Sequence, residues 1–224
     1  MGTMIAFRRP DGAEARGYLA NAAKGDAPGL VVIQEWWGLQ EQIKGACDRF
    51  ALAGFDALAP DLFKGVVVPY HDAKEAERQV MSLDFLDATN QAVRGAARYL
   101  SRNGAKVGIT GFCMGGAVSV LAAAHVPELS AAVPFYGLPP AQALKVADIR
   151  VPVQGHFANR DDFVAPAAVD AFEKAMKAAG KSAEIFRYDA DHAFANEQRL
   201  SVHDRHAFEL AWDRAIAFLK AHLA

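Results

Sequence analysis

The sequence predicts an α/β fold in which a mostly parallel sheet is covered by helices on both faces. Short apolar runs rich in Val, Ile and Ala alternate with helical stretches, which is the pattern of βαβ units. Residues 29–33, Gly-Leu-Val-Val-Ile, form a continuous apolar run, as a strand buried on both faces requires. No linker-like segment interrupts the 224 residues, so we expect one domain spanning residues 1–224.

The first half of the chain predicts an edge hairpin followed by alternating strands and helices. Residues 4–7 and 15–19 flank Asp11-Gly12, a hairpin turn signal, and should pair antiparallel at the sheet edge. A helix is predicted over 40–53, ending at Gly54, and a strand over 55–60, closed by Pro60. Residues 64–70 are irregular, whereas 73–81 and 87–101 have helical apolar spacing. We expect this region to supply a pocket wall and one covering helix.

The second half continues the alternation from a short strand that starts at Lys106 and breaks at glycine. Helices are predicted over 115–125, 166–179 and 204–222, and strands over 131–136, 151–156 and 182–188. Loops and helical material should follow the strands. Ligands of such sheets bind at the carboxyl ends of the parallel strands, so the residues that directly follow a strand are the first candidates for a functional site.

The composition argues against several classes of function. The net charge is −2 and no block of Lys or Arg occurs, so we expect no nucleic-acid partner and no anionic membrane partner. No apolar run approaches the roughly 18 to 20 residues of a membrane span, and the N-terminus lacks the apolar core of a signal peptide. We therefore expect a cytoplasmic monomer whose core needs no disulfides.

The two cysteines have different surroundings. Two are too few for a disulfide framework, so both should be free thiols in a reducing compartment. Cys47 lies among Ile43, Ala46 and Phe50 of a predicted helix and should be a buried small hydrophobe. Cys113 is the centre of G-F-C-M-G at 111–115, the nucleophile-elbow pattern with cysteine in place of serine.

An elbow would expose the sulfur of Cys113 and favour its thiolate. Flanking glycines permit a strained turn, and the N-terminus of the following helix favours negative charge. By itself the motif leaves a second interpretation open, namely a plain strand-to-helix connection with a buried, inert cysteine.

Six short motifs in one order are more specific than any of them alone. They are Q-E-W-W-G at 34–38, A-P-D-L at 59–62, G-F-C-M-G-G at 111–116, F-Y-G at 135–137, D-D-F-V at 161–164 and H-A-F at 192–194. In these motifs the chain resembles the dienelactone hydrolase family, from Gly29 to the C-terminal helix. The resemblance implies an α/β-hydrolase fold without a separate lid domain. It also implies hydrolysis of an activated ester or an enol lactone such as dienelactone.

The resemblance implies a triad in the chain order nucleophile, acid, histidine. Cys113 is followed by the adjacent acids Asp161 and Asp162, and then by His192. Asp161-x-Phe163-Val164 matches the family's acid loop, so we expect Asp161 to be the triad acid. His192, one of seven histidines, follows the last predicted strand and would take the thiol proton. His156 either lines the pocket or packs structurally.

Glu35 directly follows the strand over 29–33. From the residues alone it is either an exposed strand-end cap or part of the site, whereas in the family the corresponding glutamate faces the nucleophile. The family mechanism has substrate displace this glutamate so that it takes the thiol proton. The oxyanion hole would consist of the backbone N–H groups of Trp36 and Met114. Trp37 is interpreted mainly as a packing aromatic.

The residues expected to bind substrate depart from the family pattern. The family holds a substrate carboxylate with two arginines, one of them four residues after the histidine, where this chain has Asn196. Only Arg78 lies near the position of the other, and Tyr136 completes the expected set. An uncharged amide cannot replace a guanidinium clamp, so we expect weak hydrolysis of dienelactone relative to neutral activated esters.

No phosphate-binding loop and no zinc-type ligand spacing occurs, so we assign no cofactor and no metal and expect a small-molecule ester or lactone as the partner. Two alternatives remain open. One is a broad carboxylesterase or thioesterase that acts on neutral esters. The other is a non-hydrolytic ligand-binding or thiol-redox protein, although Cys47 is a poor candidate for a resolving cysteine.

Overall fold

One eight-stranded sheet organises the chain in the computed structural model, which describes residues 1–224 apart from the side chain of Asn103. The strands are β1 (Thr3–Arg8), β2 (Glu14–Ala20), β3 (Gly29–Ile33), β4 (Asp56–Pro60), β5 (Val107–Phe112), β6 (Leu129–Phe135), β7 (Val153–Arg160) and β8 (Ala183–Asp191). Their spatial order is β1-β2-β4-β3-β5-β6-β7-β8. The β1–β2 and β2–β4 pairs are antiparallel and the other pairs are parallel.

Helices cover both faces of this sheet. They are α1 (Glu41–Leu52), α2 (Ala73–Ser82), α3 (Phe85–Asp87), α4 (Arg94–Leu100), α5 (Met114–His125), α6 (Pro166–Ala178) and α7 (Arg205–Leu223). Apolar residues of α1 and α7 belong to the core on one face, and those of α4, α5 and α6 to the core on the other. The predicted fold class is therefore confirmed, and no separate lid domain is evident.

The edge hairpin and the burial of Cys47 are also confirmed. β1 and β2 pair from Thr3 opposite Leu19 to Arg8 opposite Glu14, at the edge of the sheet. Cys47 lies in α1 with no exposed surface, and burial raises the pKa of its thiol far above the usual range. Among the described residues, no helix has the length and apolarity needed to cross a membrane.

The strands β7 and β8 continue beyond their predicted ends. Their apolar cores led us to expect strands over 151–156 and 182–188, but the pairing runs on until Arg160 lies opposite Asp191. A side-chain hydrogen bond of 2.8 Å from Arg160 Nε to Asp191 Oδ1 joins the two ends. The added residues pair through polar side chains, so an apolar pattern in the sequence could not predict that the strands extend this far. As a result, the residues that follow them, Asp161 and His192, leave the sheet side by side.

The helical region before β5 differs in detail from its prediction over 87–101. It starts at Phe85, and a π-helical turn, Ala88–Val93, joins α3 to α4. The hydroxyl of buried Thr89 donates to the carbonyl oxygen of Phe85 at 2.7 Å within this turn. Between β6 and β7 the helical material amounts to two short 3-10 turns, Ala141–Ala143 and Val146–Asp148.

Candidate active site

A cavity of about 260 Å³ opens where the central strands end. It brings together Glu35 after β3, Cys113 after β5 and His192 after β8. Most of the remaining wall is apolar and is formed by Trp36, Trp37, Val80, Phe85, Met114, Ala117, Leu138, Pro140, Phe163 and Ala193. The wall expected from the region after β4 thus comes from Val80 of α2 and Phe85 of α3. Residues 64–70 instead lie behind Trp37, where the Val68 N–H donates to the Trp37 carbonyl.

Cys113 occupies a strained turn between β5 and α5. Its φ of 55° lies in the left-handed region, which side chains disfavour, and its N–H donates to the Phe135 carbonyl at 3.0 Å. A Cβ at Gly115 would lie 2.4 Å from the Ile33 carbonyl oxygen, and one at Gly137 would lie 1.9 Å from that of Cys113. Only glycine permits these approaches, so the turn has the geometry of the predicted elbow, with Cys113 half-buried on the cavity wall.

Asp161 holds the imidazole of His192 in one orientation. Its Oδ2 accepts a hydrogen bond of 2.8 Å from His192 Nδ1. Its Oδ1 accepts from the backbone N–H groups of Phe163 and Val164, both at 2.8 Å. Asp162 is exposed, so the structure places Asp161, the acid favoured by the sequence, against the ring. A buried carboxylate with both oxygens engaged has little freedom to turn, and the ring shares that restriction.

The other ring nitrogen of His192 is available for proton transfer. Burial lowers the pKa of His192, but the hydrogen bond to Asp161 and the nearby Cys113 outweigh it and raise this pKa to about 10. Cys113 and His192 both line the cavity, although the described structure contains no hydrogen bond between them. Nε2 is buried and has no partner among the described residues. With this raised pKa the ring carries a proton on both nitrogens near neutral pH, so Nε2 is the atom that can give a proton to a leaving oxygen and afterwards take one from water.

Glu35 is a buried member of the site, so its interpretation as an exposed strand cap is wrong. Its side chain is 2% exposed. The Tyr136 hydroxyl donates to Oε1 at 3.2 Å and Asn196 Nδ2 donates to Oε2 at 2.7 Å. Burial raises the pKa of Glu35, and the Asn196 hydrogen bond offsets part of this rise. Glu35 shares the cavity with Cys113 but makes no hydrogen bond to it in the described structure.

Tyr136 and Asn196 lie beneath Glu35 rather than in the cavity wall. We expected both to contact substrate, but both side chains are fully buried and donate to the Glu35 carboxylate. Their contribution in this structure is to hold Glu35. No local sequence signal identifies this arrangement, because the three residues follow three different strands.

Arg78, the remaining expected substrate ligand, does not reach the cavity. Its guanidinium is 72% exposed and binds Glu75, three residues earlier on α2, with Nη2 and Oε1 2.6 Å apart. The cavity instead contains Arg199, which the sequence analysis missed. The guanidinium carbon of Arg199 lies 5.6 Å from the Trp37 ring centre, and the guanidinium makes no hydrogen bond or ion pair among the described residues. The sequence offered one signal for a role of Arg199 in the site, since it lies seven residues after His192 in the same loop.

Two backbone donors border the cavity beside Cys113. Trp36 and Met114 both line it, and neither backbone N–H has an acceptor among the described residues. Met114 is also the first residue of α5, where N–H groups point out of the helix. Two unpaired donors next to a nucleophile can stabilise an oxyanion.

Two open alternatives are resolved by burial. His156 packs structurally: it is fully buried, it binds the Tyr188 hydroxyl at 2.8 Å, and burial lowers its pKa to about 3. Trp37 both packs against Trp36 and lines the cavity.

Within the described part of the chain, no cluster of three or more His, Cys, Asp or Glu side chains could hold a metal ion.

Comparison with known proteins finds similarity along nearly the whole chain. The model of the dienelactone hydrolase family matches residues 15–223. Protein usf of Aquifex pyrophilus is 38% identical over 237 residues, covering 100% of both chains. A protein of Aquifex aeolicus, provisionally named carboxymethylenebutenolidase, is 34% identical over 235 residues with the same coverage. A Klebsiella pneumoniae structure, provisionally named dienelactone hydrolase, has a TM-score of 0.85 and 29% identity, covering 97% of this chain and 98% of its own.

We predict that Glu35→Gln makes Cys113 react faster with iodoacetamide in the absence of substrate while ester turnover slows. A carboxylate beside the thiol disfavours thiolate, so removal of its charge should leave more of the nucleophile in the reactive form. Peptide mass spectrometry follows alkylation at Cys113 separately from Cys47. Glu41→Gln, at an exposed position of α1 outside the cavity wall, is the matched control. If alkylation and turnover of Glu35→Gln both match the control, Glu35 does not gate the nucleophile.

Proposed function

The chain belongs to the dienelactone hydrolase family and is a hydrolase, and we propose that it cleaves an activated ester or enol lactone through an acyl-enzyme on Cys113. One observation carries this proposal. His192 is bound to Asp161 at 2.8 Å through Nδ1, while Nε2 is unpaired in the cavity that contains the elbow cysteine. This is the arrangement of nucleophile, base and orienting acid that acyl transfer requires.

In the acylation half, the thiol of Cys113 gives its proton to the Glu35 carboxylate, and Sγ attacks the substrate carbonyl carbon. The N–H groups of Trp36 and Met114 would bind the oxyanion of the tetrahedral intermediate. The intermediate collapses as the bond to the leaving oxygen breaks, and His192 Nε2 gives that oxygen a proton. In a lactone the released oxygen stays attached to the acyl group, so acylation opens the ring.

In the deacylation half, a water molecule replaces the leaving group. It gives a proton to His192 Nε2 and attacks the thioester, which releases the carboxylic acid. The departing Cys113 thiolate then takes its proton back from Glu35. Asp161 keeps its hydrogen bond to Nδ1 throughout. This bond holds the ring so that Nε2 faces the reacting atoms. The buried position of Asp161 excludes water as a competing partner.

Glu35 would keep the thiol protonated until substrate binds. By resemblance to the family, substrate displaces this carboxylate, which then takes the thiol proton. Its holders, Asn196 and Tyr136, are neutral donors, so its release requires no ion pair to break. The raised pKa of Glu35 supports this role, because burial makes it a better proton acceptor than an exposed glutamate.

The chemistry of the cavity wall favours a neutral ester over a carboxylate-bearing lactone. The wall is mostly apolar, and neither arginine position of the family's clamp is filled. Arg199 is the one observation that favours the carboxylate-bearing lactone, because its guanidinium is unpaired in the cavity. A single cation near Trp37 binds a carboxylate less strongly than a two-arginine clamp does.

We further propose that the chain acts as a one-domain monomer on small molecules, without cofactor or metal, in the reducing cytoplasm.

We predict that Cys113→Ala lowers ester hydrolysis by at least about a thousandfold, because no other group replaces a covalent nucleophile. Circular dichroism should be unchanged, since the half-buried thiol contributes little packing. Cys47→Ala is the control and should keep its activity. A Cys113→Ala variant with activity within about tenfold of the unmutated protein would refute covalent catalysis by Cys113.

The substrate's charge can be tested with two para-nitrophenyl esters, the neutral butanoate and the half-ester of succinate. We predict a higher kcat/KM for the neutral ester by about tenfold or more, since a missing charged contact costs about 1.5 to 3 kcal/mol. Arg199→Gln should change this ratio little, as should the exposed control Arg78→Gln. A preference for the succinate ester that is lost only in Arg199→Gln would instead support the carboxylate-bearing substrate.

A further inference from the structure

Phe163 is a large aromatic side chain that burial does not explain. It is 68% exposed, yet it lines the mouth of the cavity. Its ring centre lies 4.7 Å from that of His192 and 5.9 Å from that of Trp36. An exposed aromatic at a cavity mouth gains little from the core, so contact with a ligand is the stronger explanation for its position.

The acid loop holds Phe163 over the histidine ring. The same Asp161 carboxylate that binds His192 through Oδ2 accepts the Phe163 N–H at Oδ1. Tyr136 also lies against His192, with ring centres 5.2 Å apart, but it is fully buried and its hydroxyl is bound to Glu35. Tyr136 is therefore closed off from solvent, whereas Phe163 reaches it.

This geometry determines where a leaving group would lie. The inference rests on the proposed function, in which His192 Nε2 protonates the leaving oxygen and must be within hydrogen-bond reach of it. A group attached to that oxygen then lies next to the aromatic ring that covers His192. Trp36 also lines the cavity and lies in edge-to-face contact with Phe163, so the two rings form one aromatic surface.

We propose that Phe163, together with Trp36, forms a leaving-group subsite that is selective for aromatic alcohols, so that aryl esters are the preferred substrates. A flat ring can pack in offset-stacked or edge-to-face contact against the surface that Phe163 and Trp36 form, whereas an alkyl group of similar reactivity gains less there. Because Phe163 is exposed, the released alcohol leaves the subsite directly into solvent.

Phenyl acetate and trifluoroethyl acetate test this proposal, because both are activated and both give the same acetyl-enzyme. We expect Phe163→Ala to lower kcat/KM for phenyl acetate about three- to tenfold more than for trifluoroethyl acetate, the size of one aromatic contact. Deacylation, measured after a burst of alcohol release, should keep its rate, because the leaving group has already departed. Phe163→Tyr should retain the aryl preference. Leu200→Ala, an exposed apolar position outside the cavity wall, should leave both esters unaffected.

Several results would overturn the subsite. Equal losses on both esters together with slower deacylation would mean that Phe163 only positions His192, and unchanged rates on both would mean that it contacts no leaving group. If Phe163→Ala does not fold, Phe163→Leu must show the same aryl-specific loss. Failure of the proposed function is distinguishable, since the unmutated protein would then form no acetyl adduct on Cys113.

Discussion

The close approach of three backbones around Cys113 is the constraint on which the rest of the site depends. Gly115 lies against the Ile33 carbonyl at the end of β3, and Gly137 lies against the carbonyl of Cys113 itself. Any side chain at these glycines would separate the ends of β3, β5 and β6. Their contact sets the cysteine beside the N–H groups of Trp36 and Met114, and it stabilises a left-handed backbone that would otherwise be unfavourable.

The charges around that cysteine oppose one another. His192, with its raised pKa, favours thiolate, whereas buried Glu35 disfavours it. The holders of Glu35 are an amide and a phenol, so its charge is not cancelled by a bound cation. Under the proposed function, this balance keeps an oxidisable thiol protected and makes its activation depend on a ligand that reaches Glu35.

Local patterns predicted most of the fold and much of the candidate site, because an apolar run, a glycine-flanked cysteine and a strand-end histidine each carry their signal within a few residues. The parts that could not be predicted depend on contacts between distant segments. Asn196 binds Glu35 across 161 positions of sequence, and the last residues of β7 and β8 pair through polar side chains. Arg78 pairs with Glu75 three residues earlier, as helix spacing allows, whereas Arg199 reaches the cavity through the path of the loop after β8, which no local pattern predicts.

The most direct test of the central claim is a rapid-quench experiment in which the unmutated protein is mixed with para-nitrophenyl acetate and its intact and peptide masses are followed. A covalent mechanism predicts one acetyl group on the peptide that contains Cys113, formed within the first turnover and lost as the ester is consumed, with Cys47 unmodified. Hydrolysis without an acetyl adduct at any time, or an adduct on Cys113 that persists after the ester is exhausted, would contradict it.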